Sequence, residues 1–179
     1  MEVFVLFVLF LGSLFVRALL FKPNDPTSRD EKKFKAGIQL ITGRRYEEGF
    51  QYFNKALKEN PKSGLAYAYR GRCNLYLNDL FAAIYDTTEA LAYDHCIADA
   101  YLVKGIALFE LEMYKDAFIE FDKAVWYARN NGEAYRWRAL CRAKLGMTDK
   151  AYEDFAKAIE LGDEHASYYI GKRGMIEIL

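Results

Sequence analysis

Residues 98–131 read ADAYLVKGIALFELEMYKDAFIEFDKAVWYARNN, and these 34 residues decide the fold. Two helical patterns lie within them. AYLVKGIALFELEM carries apolar residues at helical spacing, and YKDAFIEFDKAVWYA gathers Tyr114, Ala117, Phe118, Phe121, Ala124 and Val125 on one face. Working outward, the pattern recurs at an interval of 34. Gly37, Gly71, Gly105 and Ala139 share one register, and Gly49, Ala83, Ala117 and Ala151 share another. Phe53, Thr87, Phe121 and Phe155 follow, then Ala56, Ala90, Ala124 and Ala158, then Tyr67, Tyr101 and Tyr135, then Tyr46, Leu80, Tyr114 and Thr148. Six registers at one period predict a repeat array of helix pairs, over 30–63, 64–97, 98–131 and 132–165.

The small residues explain how such pairs pack. Helices approach to roughly 8 Å only where side chains are small, so the Gly/Ala registers mark crossings and the Phe/Tyr registers fill the space beside them. Gly43, Asn78, Glu112 and Gly146 fall near the break within each pair, where Gly and Asn suit a left-handed helix end. One unit cannot bury its apolar face alone, so about three must stack before the array is stable.

Composition agrees with an all-α protein holding one domain of ordinary size. The 179 residues are 53% hydrophobic and 28% charged, which excludes intrinsic disorder and a multi-span membrane protein. Lys plus Arg and Asp plus Glu are 25 each, and a net charge of zero lacks the basic footprint of a nucleic-acid binder. The three cysteines, Cys73, Cys96 and Cys141, include no C-x-x-C pair, so neither a disulfide scaffold nor a zinc motif is signalled, and a reducing compartment is expected.

Residues 3–21, VFVLFVLFLGSLFVRALLF, are a different material, with fifteen of nineteen positions Val, Leu or Phe. As a helix they would span about 28 Å, close to the roughly 30 Å hydrocarbon core. Arg17 would cost about 2.5–3.5 kcal/mol at a helix centre, less near the end where its head reaches the interface, against roughly 5–9 kcal/mol from the apolar residues. A cleaved signal would want a basic start and a small-residue cleavage site, yet Glu2 precedes the run and KPND follows it. A buried core helix would not be apolar on every face. One N-terminal transmembrane helix is therefore expected. Arg17, Lys22, Arg29, Lys32, Lys33 and Lys35 lie toward its C-terminal side, which puts the amino terminus outside and the bulk on the cytoplasmic or equivalent inner side of a bacterial inner membrane or an organellar membrane. Residues 22–29 form a short linker stiffened by Pro23 and Pro26, and Ser28 with Glu31 has the form of a capping box.

The registers resemble the tetratricopeptide repeat (TPR), over residues 30–165 and best in 98–131. Among the departures, the proline that closes a unit survives as Pro61, while His95, Arg129 and Asp163 take its place later, so looser exits are expected there. Lys33 stands where the other units have Tyr, which makes the first unit degenerate. The resemblance implies a right-handed α-solenoid whose inner helices line a concave groove, and it implies that residues 166–179 form a C-terminal capping helix. Family register places Phe34, Ile38, Ala68, Arg72, Leu75, Tyr76, Leu102, Ile106, Phe109, Arg136, Leu140 and Lys144 on that groove, with Asp99, Glu110 and Glu133 among them. An apolar centre flanked by charges suits an amphipathic helix or an extended hydrophobic peptide. Leu102, Ile106 and Phe109 could equally be packed against neighbouring helices.

The carboxylate clamp of cochaperone arrays needs Lys, Asn and Arg on successive inner helices. Those places hold Phe34, Ile38, Tyr69, Asp99 and Val103, or, one unit later, Ala68, Arg72, Val103, Glu133 and Trp137, and neither set makes the clamp. Arg70, Lys104 and Arg138 recur at the period and are expected to satisfy carbonyls or acidic neighbours. No catalytic constellation, cofactor motif or metal motif appears. His95 and Cys96 adjoin, but sequence neighbours rarely face one another. The aromatics read mostly as repeat core. The expectation is a noncatalytic, membrane-anchored scaffold for protein partners, a docking platform or a subunit of a membrane complex. The alternative is a cochaperone or targeting-peptide receptor at an organellar membrane.

Overall fold

The computed structural model describes residues 32–170. The chain divides into two compact units, Met1–Lys35 and Ala36–Leu179. The transmembrane helix expected over 3–21, the linker over 22–29 and the capping box at Ser28 lie outside the described residues. Among the described residues no helix is long and apolar enough to cross a membrane.

Among the described residues eight α-helices follow one another: α1 Lys35–Thr42, α2 Tyr46–Glu59, α3 Gly64–Tyr76, α4 Leu80–Tyr93, α5 Ala98–Glu110, α6 Tyr114–Tyr127, α7 Gly132–Lys144 and α8 Thr148–Glu160. They form an all-α helical-repeat solenoid. α3, α5 and α7 start 34 residues apart, as do α2, α4, α6 and α8. Each of α3, α5 and α7 packs on the helix that follows it and on the one before it. These first helices also touch one another, α3 on α5 and α5 on α7, and so form one face of the stack, called here the inner face.

Local chemistry sets these boundaries. Ser63, Asp79 and Asn131 cap α3, α4 and α7, each accepting the backbone N–H three residues on, at 3.3, 3.0 and 3.2 Å. Within each pair the first helix ends in a left-handed residue: Arg44, Asn78, Glu112 and Gly146, again 34 apart. At the second of these ends, the Asn78 N–H donates to Leu75 O at 3.0 Å and the Asp79 N–H to Asn74 O at 2.9 Å, a Schellman closure. At the first end the left-handed residue is Arg44 and not Gly43. The Schellman count decides it, because the Arg45 N–H must reach Leu40 O, as it does at 2.8 Å.

The helices cross where side chains are missing. A Cβ on Gly105 would lie 2.6 Å from the Phe121 ring, and one on Gly71 would lie 3.0 Å from Thr87 Cγ2. Phe53, Phe121 and Phe155 are fully buried, and burying such a ring is worth roughly 1.5–3 kcal/mol. Thr87 takes the same slot in the second pair, where its hydroxyl donates to Ala83 O at 2.7 Å and so is satisfied inside the core.

The start of the expected C-terminal helix departs from expectation. Of the capping helix expected over 166–179, Ala166–Tyr169 is a single 3-10 turn and Ile170 is extended, and 171–179 lie outside the described residues. The Ala166 N–H donates to the Asp163 carboxylate at 2.9 Å, which holds the start of this segment in a tight turn. The turn still covers core, since Ala166 is buried and Tyr169 stacks on Phe155 at 5.2 Å.

Candidate functional site

The inner face, built from α3, α5 and α7, is the surface that family register singled out. Its residues separate by burial. Leu102 is 0% exposed, Leu140 8% and Arg136 9%, so these three are interior groups and offer no anchor to a partner. Leu102 belongs to the core shared by α5, α6 and α7, Leu140 to that of α7 and α8, and Arg136 is held by Asp163. Ile106 and Phe109 are half-buried and pack on the α5–α6 core, Phe109 edge-on to Trp137 at 5.5 Å and to Tyr114 at 5.1 Å. Tyr76 is 48% exposed and stacks on Tyr46 at 4.5 Å. Glu110 and Lys144 are exposed, Leu75 and Ile38 are half-buried, and Phe34 and Ala68 are buried.

Two arginines of this face are spent on carboxylates. Arg72 pairs with Asp99, joining α3 to α5, and the Asp99 carboxylate holds the guanidinium charged well above the usual arginine range against the opposing effect of burial. Arg136 Nε donates to the Asp163 carboxylate at 3.0 Å, and its Nη2 sits 3.5 Å from Glu133. At the clamp positions, Asp99 is thus paired, Val103 is buried, and Arg72 is engaged. No cluster of donors for a terminal carboxylate is assembled there.

Arg70, Lys104 and Arg138 do meet acidic neighbours, one register of buried carboxylates on the second helices. Arg70 forks onto Asp86 at 2.8 and 2.6 Å, and Arg138 onto Asp154 at 2.8 and 2.8 Å. Lys104 lies 3.5 Å from Glu120. Each arginine also reaches back to the preceding pair, Arg70 to Asn54 at 2.9 Å and Arg138 to Asp122 at 2.7 Å. This ladder ties neighbouring pairs together and takes no part in an open site.

Two features escaped the sequence reading. On the second helices α4 and α6, aromatic Phe81, Tyr85 and Trp126 and aliphatic Ile119 are 74%, 61%, 67% and 51% exposed. Tyr85 and Ile119 stand 34 apart, so their exposure follows the repeat. In the turn between α4 and α5, Asp94, His95 and Cys96 bring a carboxylate oxygen, an imidazole nitrogen and the thiol sulfur within 4.8 Å of one another. Sequence neighbours do face one another here, because the turn lets successive side chains fold over one point, which helical geometry forbids.

The other two thiols are sequestered. Burial pushes the Cys73 thiol up to about 12 and Cys141 up to about 11, so neither is a nucleophile at neutral pH.

No family model matches the chain. Among curated proteins it is similar to the Hsp70-Hsp90 organizing protein of Triticum aestivum, 27% identical over 126 residues, covering 70% of this chain and 22% of that protein. The chain thus spans less than a quarter of that relative's own length. Among solved structures it is similar to the thermophilic TPR protein TTC0263 of Thermus thermophilus, at 24% identity and TM-score 0.65, covering 74% of each chain. It is also similar to the first TPR of Spaghetti (RPAP3) bound to the HSP90 peptide SRMEEVD, at 20% identity and TM-score 0.58, covering 63% of this chain and 89% of that one. The fold is that of TPR arrays, and the relatives and neighbours together support the TPR resemblance.

Proposed function

We propose that the array is a noncatalytic docking platform whose inner face receives a polypeptide segment. The observation that carries this reading is that Tyr76, Ile106 and Phe109, on the contacting helices α3 and α5, are partly open while Glu110 and Lys144 are exposed. Such a surface suits apolar anchor side chains on a helix or extended segment, with the exposed charges orienting it. The wheat relative and the RPAP3 neighbour make the cochaperone alternative concrete, since the latter is bound to an acidic HSP90 peptide. Against it stands the pairing of Arg72 and Arg136 with carboxylates, which leaves an acidic tail little to hold.

The platform is proposed to be held at a bilayer by residues 3–21, with the repeats on the inner side of a bacterial inner membrane or an organellar membrane. The exposed Phe81, Tyr85, Ile119 and Trp126 favour the subunit form of this reading, because apolar groups at that exposure are what a permanent interface covers.

Purification of the full chain in mild detergent tests it. A fixed stoichiometric set of companions identifies a subunit, and varied clients identify a receptor. Ile106→Ser with Phe109→Ser is expected to abolish the association at unchanged helix content. Leu102 is left intact because its loss would unfold the stack. Retained association in that variant removes the inner face from consideration. Binding of SRMEEVD peptide below about 10 μM, a free energy near −7 kcal/mol, would instead establish the cochaperone alternative.

A further inference from the structure

The turn at 94–97 separates α4, which ends at Tyr93, from α5, which begins at Ala98. Three consecutive residues there carry three different donors, and among the described residues they are the one group of His, Cys, Asp or Glu that converges this closely. The Cys96 N–H donates to Asp94 Oδ1 at 2.9 Å, which folds the carboxylate back over the turn. The His95 ring stands edge-on to Tyr127 at 6.4 Å, so it too is placed by a neighbouring helix. His95 and Cys96 are exposed and Asp94 is half-buried, so a solvated cation has direct access.

We propose that Asp94, His95 and Cys96 form a solvent-open site for one borderline divalent cation, Zn2+ by its ligand chemistry. A carboxylate oxygen, an imidazole nitrogen and a thiolate sulfur together match Zn2+. Mg2+ and Ca2+ take oxygen donors throughout, and a single thiolate is too few for a soft-metal cage. With bonds of about 2.0–2.3 Å, a tetrahedral centre needs its donors roughly 3.4 Å apart, so exposed side chains within 4.8 Å of one another close on it by small rotations. Binding takes the thiol proton from Cys96 and releases it to solvent as the sulfur–metal bond forms. The fourth position stays open to water or to a donor from a partner. The ion would tie together a repeat exit that has His95 where the TPR pattern has proline. The buried Cys73 and Cys141 do not compete, so the sulfur chemistry belongs to Cys96 alone.

The test uses the reduced, untagged full chain and Co2+ as a spectroscopic stand-in, followed by displacement with Zn2+. One Co2+ per chain is expected, with a near-ultraviolet thiolate-to-cobalt absorption that Zn2+ removes. Cys96→Ser is expected to abolish that absorption, and both Cys96→Ser and His95→Ala to weaken Zn2+ binding at least tenfold. Asp94→Asn keeps the acceptor for the Cys96 N–H and is expected to weaken it less. The metal-free melting temperature should be unchanged in Cys96→Ser, which separates ligand loss from unfolding. Absence of the thiolate absorption in the parent chain, its persistence in Cys96→Ser, or Zn2+ affinity unchanged in both variants would overturn the assignment. Each of those results leaves the inner face's docking role untouched.

Discussion

At Gly105 one hydrogen atom decides whether two helices can meet. The Phe121 ring against it is fully buried. Gly105→Val is therefore expected to destabilise the array by about 1–3 kcal/mol through overpacking, and Phe121→Ala by about 3–5 kcal/mol through the cavity it leaves. Urea midpoints read both, and a midpoint unmoved by Gly105→Val would contradict this packing. The buried thiols act on pH instead. Cys73 and Cys141 ionise near 9.0 in the unfolded chain, but burial raises them in the fold to about 12 and about 11. Folded values raised above unfolded ones give stability that is complete below pH 9 and lost as pH climbs toward 11 to 12. The urea midpoint should fall across that window, and the double variant Cys73→Ala, Cys141→Ala should flatten the fall relative to its own neutral value. Residues of this kind were legible because their registers repeat. Arg44 was not, since Gly43 beside it looks like the better left-handed residue, and only the hydrogen-bond count from the helix end chooses between them. The Asp94–His95–Cys96 cluster was hidden for a similar reason: spacing rules written for helices say nothing about a two-residue bend.

Between elements, the paired helices are held by a ladder of buried charges whose geometry goes beyond simple apolar stacking. Asp154 is 4% exposed and is gripped by Arg138 and by Arg142 at 2.7 Å. Arg138→Met strips the bidentate partner and leaves a buried carboxylate half-compensated, an expected loss of about 3 kcal/mol. Adding Asp154→Leu should recover much of that loss, because the cost lies in the stranded charge and not in the missing attraction. A double-mutant cycle by denaturant unfolding measures this, and equal losses in the single and double variants would refute it. Both registers of the ladder, Arg70, Lys104 and Arg138 against Asp86, Glu120 and Asp154, stand in the sequence at the same period. That these bases would meet carbonyls or acidic neighbours was legible, but which carboxylates was not, because it depends on which faces the two helices of a pair turn toward each other. The exits without proline show the converse. They were expected to be loose, yet Asp163 is held by Arg136, Arg129 lies over the Trp126 ring at 5.0 Å, and His95 meets Tyr127. Each replacement brings a contact that proline cannot make.

For the unit Ala36–Leu179 as a whole, stability in a stack of repeats is a sum over neighbours, so the position of a defect matters as much as its size. The period made this architecture readable from 34 residues, but what the stack leaves open could not be read from one unit. Leu102 looks like an anchor until the α6 and α7 side chains of its core cluster bury it, and Trp126 looks like core until its 67% exposure on α6 is seen. The same neighbour logic makes an end and a centre respond differently. Tyr169 covers Phe155 at the terminal pair, whereas Gly105 lies at the crossing of the third pair, with neighbours on both sides. Tyr169→Ala should remove a stacked pair worth about 0.5–1.5 kcal/mol and accelerate hydrogen exchange by up to roughly tenfold in α7 and α8 while leaving α3 and α4 near their original rates. Gly105→Val should raise exchange in α3 through α8, because it weakens the contacts on which both flanks lean. If Tyr169→Ala instead lowered protection evenly from α2 to α8, the array would be one cooperative block. The nearest-neighbour account would then fail, since a defect at the terminal pair would be felt as strongly four helices away as beside it.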